Sequence, residues 1–132
     1  TVAEALAPED SLVQQTRERV SRGLRKLQQD AYKQNDYARV ASLGHEILIG
    51  RPNDAAAWVL YARALSLLGR HDESATAWAH AAALEPDKPE HQLHQARALV
   101  SGRRRGEAAQ VLDDLLLRHP AYDRATEMRG KL

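Results

Sequence analysis

The stretch AWVLYARALSLLGRHDESATAWAHAAALEP, residues 57–86, decides the fold. It places Trp58 and Trp78 among small residues, with Gly69 between them. Apolar residues recur at helical spacing on both sides of this glycine. Gly69 can end a helix in the left-handed conformation, and Asp72 can cap the helix that follows. The stretch therefore predicts two helices joined by a tight turn.

The helix pair repeats with a period of 34 residues. Pro52, Pro86 and Pro120 stand 34 residues apart, and shifting the sequence by this period aligns the apolar positions of successive units. Asp36 in KQNDY is placed to cap a helix as Asp72 does one unit later. A proline ends the second helix of each unit, because proline cannot continue a helix. The sequence predicts an all-α solenoid of three helix–turn–helix repeats, residues 21–54, 55–88 and 89–122.

These residues resemble the tetratricopeptide repeat (TPR) family. The family pattern has a large residue in the first helix, small residues where the two helices approach, an aromatic residue and an alanine in the second helix, and a final proline. Unit 55–88 supplies nearly the full set: Trp58, Ala62, Ser74, Trp78, Ala81 and Pro86. The other units depart from it, with Gln28 at a small position, Gly44 in place of the aromatic and Gln92 in place of the large residue. The resemblance implies a right-handed TPR superhelix.

Both tryptophans are expected to pack in the core, each with small residues opposite so that the helices can approach. Base stacking or a ligand cage is the alternative role.

The two ends of the chain differ from the repeats. Residues 1–9 are expected to be a disordered leader, and residues 10–132 a single TPR domain. A long helix is predicted from about residue 11 to 34, capped by Asp10 or Ser11, with a break near residues 21–23 as the alternative because Gly23 weakens helices. Residues 123–132 form a C-terminal capping helix or a truncated fourth repeat.

The resemblance implies that the first helices line a concave groove. Six of its eighteen inward positions are Lys or Arg and only Glu90 is acidic, although the chain as a whole has a net charge of +1. This sorting of charge predicts a site for an acidic peptide or a C-terminal carboxylate, for which arginine supplies a matching fork. The predicted site residues are Arg22, Arg25, Lys26, Gln29, Lys33, Leu60, Arg63, Leu93, His94 and Arg97. Tyr32, Ser66, Leu67 and Ser101 occupy further groove positions.

Two observations weigh against this interpretation of the groove. Exposed helix positions are commonly rich in Arg and Lys, and Arg22 can simply pair with Glu18 along the helix. The groove also departs from the dicarboxylate clamp of chaperone-binding TPR proteins, because Leu60 replaces a required Asn and Glu90 replaces a required cation. A chaperone-tail clamp is therefore not expected.

Composition and motifs narrow the function. The balanced charge and the lack of long apolar runs indicate no nucleic-acid partner and no membrane span within this fragment. Cysteine is absent, and we find no nucleophile, phosphate loop or paired carboxylate setting, so no enzyme and no cofactor is predicted. The pair His91 and His94 lacks a third metal ligand and is interpreted as solvated surface. The run of three arginines at residues 103–105 is interpreted as a solvated loop.

The predicted function is a protein–protein interaction scaffold that holds a peptide segment of a partner. Three alternatives stay open: a regulatory or targeting domain of a larger bacterial transferase or hydroxylase, an envelope assembly factor for cytochrome maturation or polysaccharide export, and a homo-oligomer that stacks across a stripe near Ala125 and Met128. The excess of arginine over lysine indicates a bacterial source, with cytoplasm and periplasm both open.

Overall fold

The structure, a computed structural model, describes the backbone of residues 2–132 and the side chains of residues 11–132. Residues 2–132 form seven α-helices and no strand. The helices are α1 (Val2–Lys33), α2 (Tyr37–Gly50), α3 (Ala55–Leu67), α4 (His71–Leu84), α5 (Pro89–Ser101), α6 (Arg105–Arg118) and α7 (Asp123–Gly130). Each helix packs on the next along the chain, and α1 also contacts α3. The predicted all-α solenoid of three helix pairs, with helical additions at both ends, is confirmed.

Local sequence signals set most helix ends. Asp36 caps α2, because its side chain accepts a hydrogen bond from the backbone N–H of Arg39 at 3.3 Å. Asp54 caps α3 in the same way through the N–H of Ala57 at 3.1 Å. Gly69 ends α3 with φ +78°, the left-handed conformation that glycine adopts at little cost. The helices α2, α4 and α6 each end two residues before a proline, as predicted.

The prediction that Asp72 caps α4 is wrong. The residue at the cap position is Arg70, which makes no side-chain capping hydrogen bond, and Asp72 lies in the first turn of α4. The turn after Gly69 is so short that α4 begins at His71. Asp72 instead approaches Arg104 across the repeat boundary, with 3.5 Å between Oδ1 and the guanidinium.

Helix α1 is longer than predicted and has no break. Its backbone is helical from Val2 through Gly23 to Lys33, so Asp10 and Ser11 lie within the helix and do not begin it. Residues 1–9 were predicted to be a disordered leader. The backbone is instead helical from Val2, and Thr1 lies outside the described residues. The prediction gave weight to Pro8, but Ala, Glu and Leu, which dominate residues 3–7, are strong helix formers.

The core is built from small side chains between closely packed helices. Ala62, Ala81, Ala96 and Ala108 are fully buried, and Leu65, Leu99, Leu112 and Leu115 fill the space between them. Trp78 is only 3% exposed, so its predicted place in the core is confirmed. A smaller cluster of Ile47, Leu48 and Ala57 joins α2 to α3.

Helix α7 covers the C-terminal end of the core. Ala125 is fully buried, and the half-buried Met128 and Leu132 pack against the same cluster. Arg129 donates a hydrogen bond to Asp113 of α6 at 2.8 Å. The stripe near Ala125 and Met128, expected to be free for self-association, is therefore covered within the chain.

Candidate functional site

A groove of about 350 Å³ lies between the first helices of the repeats. One wall is formed by α3 and the other by α5, while Tyr32 of α1 closes one end and α4 contributes to the floor. We call this cavity the α3/α5 groove. Its lining residues are Tyr32, Arg63, Ser66, Leu67, His71, Trp78, His94, Arg97, Ala98 and Ser101.

Two histidines of α5 pack on Trp78 at the floor of the groove. The ring of His94 stacks on the indole with 4.5 Å between centroids and 21° between planes. The ring of His91 lies 5.8 Å away, and its Nε2 is 2.9 Å from Oε1 of Glu85. The interpretation of this pair as solvated surface is wrong, since His91 is 8% exposed and His94 is half-buried. Alanines around Trp78 leave room for the imidazoles to reach the indole face.

The groove is lined by two cations, Arg63 and Arg97. Within residues 11–132 no carboxylate forms an ion pair with Arg63 or Arg97, and both side chains are exposed. Burial lowers the pKa of His94, and the neighbouring Arg97 and Arg63 lower it further. A lowered pKa favours the neutral imidazole, so the positive charge of the groove comes from the guanidinium groups of Arg63 and Arg97, and this charge attracts an anion.

The structure brings three of the ten predicted site residues together, namely Arg63, His94 and Arg97. The prediction that Leu93 lines the groove is wrong, because this side chain is 1% exposed and belongs to the main core. Helix α5 is packed between α4 and α6, so this position faces a neighbouring helix. Leu60 is half-buried, packs against the core and does not line the α3/α5 groove.

The five predicted residues of α1 lie outside the α3/α5 groove. Arg25 turns towards the loop after α2, where its guanidinium is 3.5 Å from Oδ1 of Asp54. The other four side chains are exposed along α1 and do not line the cavity: Arg22, Lys26, Gln29 and Lys33. The cationic groove is therefore shorter than the sequence predicted, and it is centred on the second and third repeats.

Sequence reasoning missed three residues of the groove: His71, Trp78 and Ala98. His71 begins α4 directly after the turn, so the short loop carries it to the groove edge. Trp78 was assigned to the core alone, although one face of its indole supports His94. No local sequence pattern marks this contact, because it joins α4 of one repeat to α5 of the next.

A second cleft, of about 390 Å³, lies between α2 and α4 with α3 beneath it. Trp58 lines this cleft, and its half-buried ring packs against both core clusters, so its predicted core packing is confirmed. Its indole stacks on His80 with 4.2 Å between centroids, and its Nε1 donates a hydrogen bond to the carbonyl of Pro52 at 2.7 Å. Both contacts hold the ring in place.

The described residues include no group of three or more His, Asp or Glu side chains placed to hold a metal ion. Among the same residues, no helix combines the length and apolar character that crossing a membrane requires. The arginine run at residues 103–105 is exposed, and Arg104 binds Glu107 through two hydrogen bonds of 2.9 and 2.6 Å.

Comparison with known proteins identifies the fold. The sequence matches no protein-family model, and no curated protein is detectably similar to it. The second TPR domain of human RPAP3, solved in complex with the HSP70 peptide SGPTIEEVD, superposes with a TM-score of 0.73 and 16% identity over 87% of this chain and 96% of that one. The Arabidopsis OM64 TPR domain gives a TM-score of 0.71 and 16% identity over 87% and 95% of the two chains.

A bacterial protein shares the same architecture. The Yersinia enterocolitica type III secretion chaperone SycD, solved with a peptide of the translocator YopD, gives a TM-score of 0.69 at 16% identity over 83% of this chain and 89% of that one. These similarities show that the chain has the TPR fold, as the repeat pattern predicted.

Proposed function

We propose that this chain is a protein-interaction module that binds an extended peptide segment of a partner in the α3/α5 groove. The observation that carries the proposal is the pair Arg63 and Arg97, which flank the stacked His94 and have no carboxylate partner within residues 11–132. Guanidinium groups in a groove bind carboxylates strongly, because they offer paired donors and because a cleft lined by charge of one sign concentrates its field.

The shape of the cavity supports a peptide as the ligand. A volume of about 350 Å³ accommodates one or two side chains rather than a folded surface. Ser101 offers a hydroxyl group to a ligand, while the hydroxyl of Ser66 donates its proton to Ser74 at 2.6 Å, and Tyr32 and Leu67 offer apolar contact. An acidic side chain or a C-terminal carboxylate of the peptide takes the position between the arginines.

Fold comparison supports the same class of function. RPAP3 and SycD have been solved with bound peptides, and both share the TPR fold with this chain. The proposed partner is a protein.

The proposal is tested with a peptide array read by fluorescence anisotropy. Acidic peptides and their amide-substituted counterparts are compared at about 50 mM and 200 mM salt, where screening lengths differ. Wild type should prefer the acidic peptides and bind them more weakly at high salt. The double variant Arg63→Glu/Arg97→Glu should lose at least tenfold in affinity.

A matched control separates the groove from net charge. The variant Arg39→Glu/Arg118→Glu changes the charge by the same amount at exposed positions of α2 and α6, so its affinity should stay within about twofold of wild type. The peptide SGPTIEEVD should bind no more tightly than other peptides of equal charge, because Arg25 is engaged by Asp54 and Leu60 offers no amide. Equal loss in both double variants, or no binding at all, overturns the proposal.

A further inference from the structure

The imidazole of His94 lies in the α3/α5 groove together with two guanidinium groups and against an indole. Arg97 of the same helix and Arg63 of α3 line the groove beside it. Trp78 of α4 covers one face of its ring, with 4.5 Å between the ring centroids. Burial lowers the pKa of His94, and the charges of Arg97 and Arg63 lower it further. In the empty groove the imidazole therefore holds a proton only weakly.

The other charged groups around this imidazole add positive charge. His91 of α5 and Arg124 of α7 also lower the pKa of His94, and Nε2 of His91 is 2.9 Å from Oε1 of Glu85. From α4 and α1 the groove receives His71 and Tyr32. Within residues 11–132, α6 contributes no side chain to the groove lining, and no Asp or Glu belongs to it. The groove itself thus offers the imidazole no carboxylate.

A bound carboxylate reverses this balance. Placed between Arg63 and Arg97, it offsets the two charges that oppose protonation of His94, and it accepts a charge-assisted hydrogen bond from the imidazolium. The indole of Trp78 supports the same state, because a cation against the face of tryptophan is attracted by the ring electrons. Since the ligand favours the proton, the proton favours the ligand to the same extent.

We propose that the α3/α5 groove takes up a proton on His94 when it binds an acidic peptide, so that the peptide binds more tightly as the pH falls. This rests on the peptide binding proposed for the groove, and it adds a third cation that is present mainly in the complex. Aspartate side chains of a peptide stay ionised above about pH 5.5, because their usual pKa is about 3.9. Between that pH and neutrality the change in affinity comes from the protein.

The first experiment measures the binding of acetylated hexa-aspartate to the full chain by isothermal titration calorimetry. The pH is set to about 7.5 or about 5.5 at constant ionic strength, and circular dichroism verifies the fold at both values. Wild type should bind about fivefold more tightly at the lower pH. Near pH 6.5 the binding heat should depend on the ionisation enthalpy of the buffer, with the sign that proton uptake requires.

Two variants assign the proton to one histidine. His94→Gln keeps a polar side chain that does not titrate, so its affinities at the two pH values should differ by less than about twofold. His71→Gln is the matched control, since it removes the other histidine of the groove lining. This variant should retain most of the pH dependence of wild type. Loss of the pH dependence in His71→Gln but not in His94→Gln overturns the assignment to His94.

The second experiment follows the His94 imidazole directly by NMR. The Cε1–H signal that is missing from the spectrum of His94→Gln identifies this residue. Saturation with hexa-aspartate should move its titration midpoint to higher pH by about one unit or more.

The outcomes separate proton uptake from peptide binding. If hexa-aspartate binds equally tightly at both pH values, or if the His94 midpoint does not move, proton uptake is overturned and the proposed peptide binding stands. If hexa-aspartate binds at neither pH, the result contradicts both.

Discussion

Where α1 packs on α2, the larger side chain is Gln28 on the first helix, and the second helix has Gly44 without a side chain. One repeat later the corresponding positions hold Ala62, which is small, and Trp78, which is large. In the first repeat Gln28 is fully buried, and its Nε2 donates a hydrogen bond to the carbonyl of Val40 at 3.4 Å. The space that an aromatic ring would fill is thus taken by the amide. The two departures from the repeat pattern compensate for each other.

Gly44→Ala is therefore expected to destabilise the fold. A Cβ at this position would lie 2.8 Å from Nε2 of Gln28 and 3.1 Å from Cδ1 of Tyr61. Overpacking of this kind costs about 1–3 kcal/mol, which exceeds the gain of about 1 kcal/mol from replacing glycine with alanine in a helix. Urea denaturation should show a lower free energy of unfolding.

Two further variants test whether overpacking against Gln28 causes the loss of stability in Gly44→Ala. Gly23→Ala has open space around the new Cβ and should raise the free energy of unfolding, so it measures helix propensity alone. In the double variant Gln28→Ala/Gly44→Ala the amide is gone, and the cost of the alanine at position 44 should shrink. Additive effects in the double variant would show that Gln28 is not the obstacle.

The junction of α4 and α5 makes stability depend on pH. Glu85 accepts hydrogen bonds from Lys88 at 2.8 Å and from His91 at 2.9 Å, and these lower the pKa of Glu85. Burial lowers the pKa of His94. Both groups bind fewer protons in the folded chain than in the unfolded chain, so acidification favours unfolding.

We expect the two groups to act in different pH intervals. The contribution of His94 is complete above its ordinary pKa of 6.5 and is lost as the pH falls below that value. The contribution of Glu85 is complete above its ordinary pKa of 4.5 and is lost below it. His94→Gln should flatten the loss of stability just below pH 6.5 and leave the loss below pH 4.5. Thermal unfolding of wild type, His94→Gln and the exposed-site control His45→Gln at several pH values tests this.

Helix ends were predictable where one residue determines them, and less so where packing does. Gly69 and Asp36 act through their own backbone and side chain, and both predictions hold. Leu93 was placed in the groove by its position in the repeat, yet its burial depends on the neighbours of α5, which no local pattern encodes. The start of α1 likewise depended on helix propensity outweighing Pro8.

The shape of the whole solenoid brought some predicted residues together and separated others. The resemblance to TPR repeats placed Arg63, His94 and Arg97 in the groove, and these three residues line one cavity because successive first helices lie side by side. The basic residues of α1 share that register, but Arg25 faces Asp54 in the α2–α3 loop and the others point to solvent. The basic charge is therefore divided between the α3/α5 groove and the exposed face of α1.

A solenoid also needs a closed end, because the last repeat has no successor to cover its apolar face. Helix α7 supplies this cover with Ala125, which is fully buried against the core. Ala125→Glu places a charge at this contact and should cost at least about 2 kcal/mol, through overpacking and the loss of hydration of the carboxylate. The control Ala121→Glu lies four residues earlier at an exposed position and should stay within about 0.5 kcal/mol of wild type. Chemical denaturation measures both. Equal stability of the two variants would mean that α7 leaves the core at little cost, and the C-terminal repeat would then be stable without a cover.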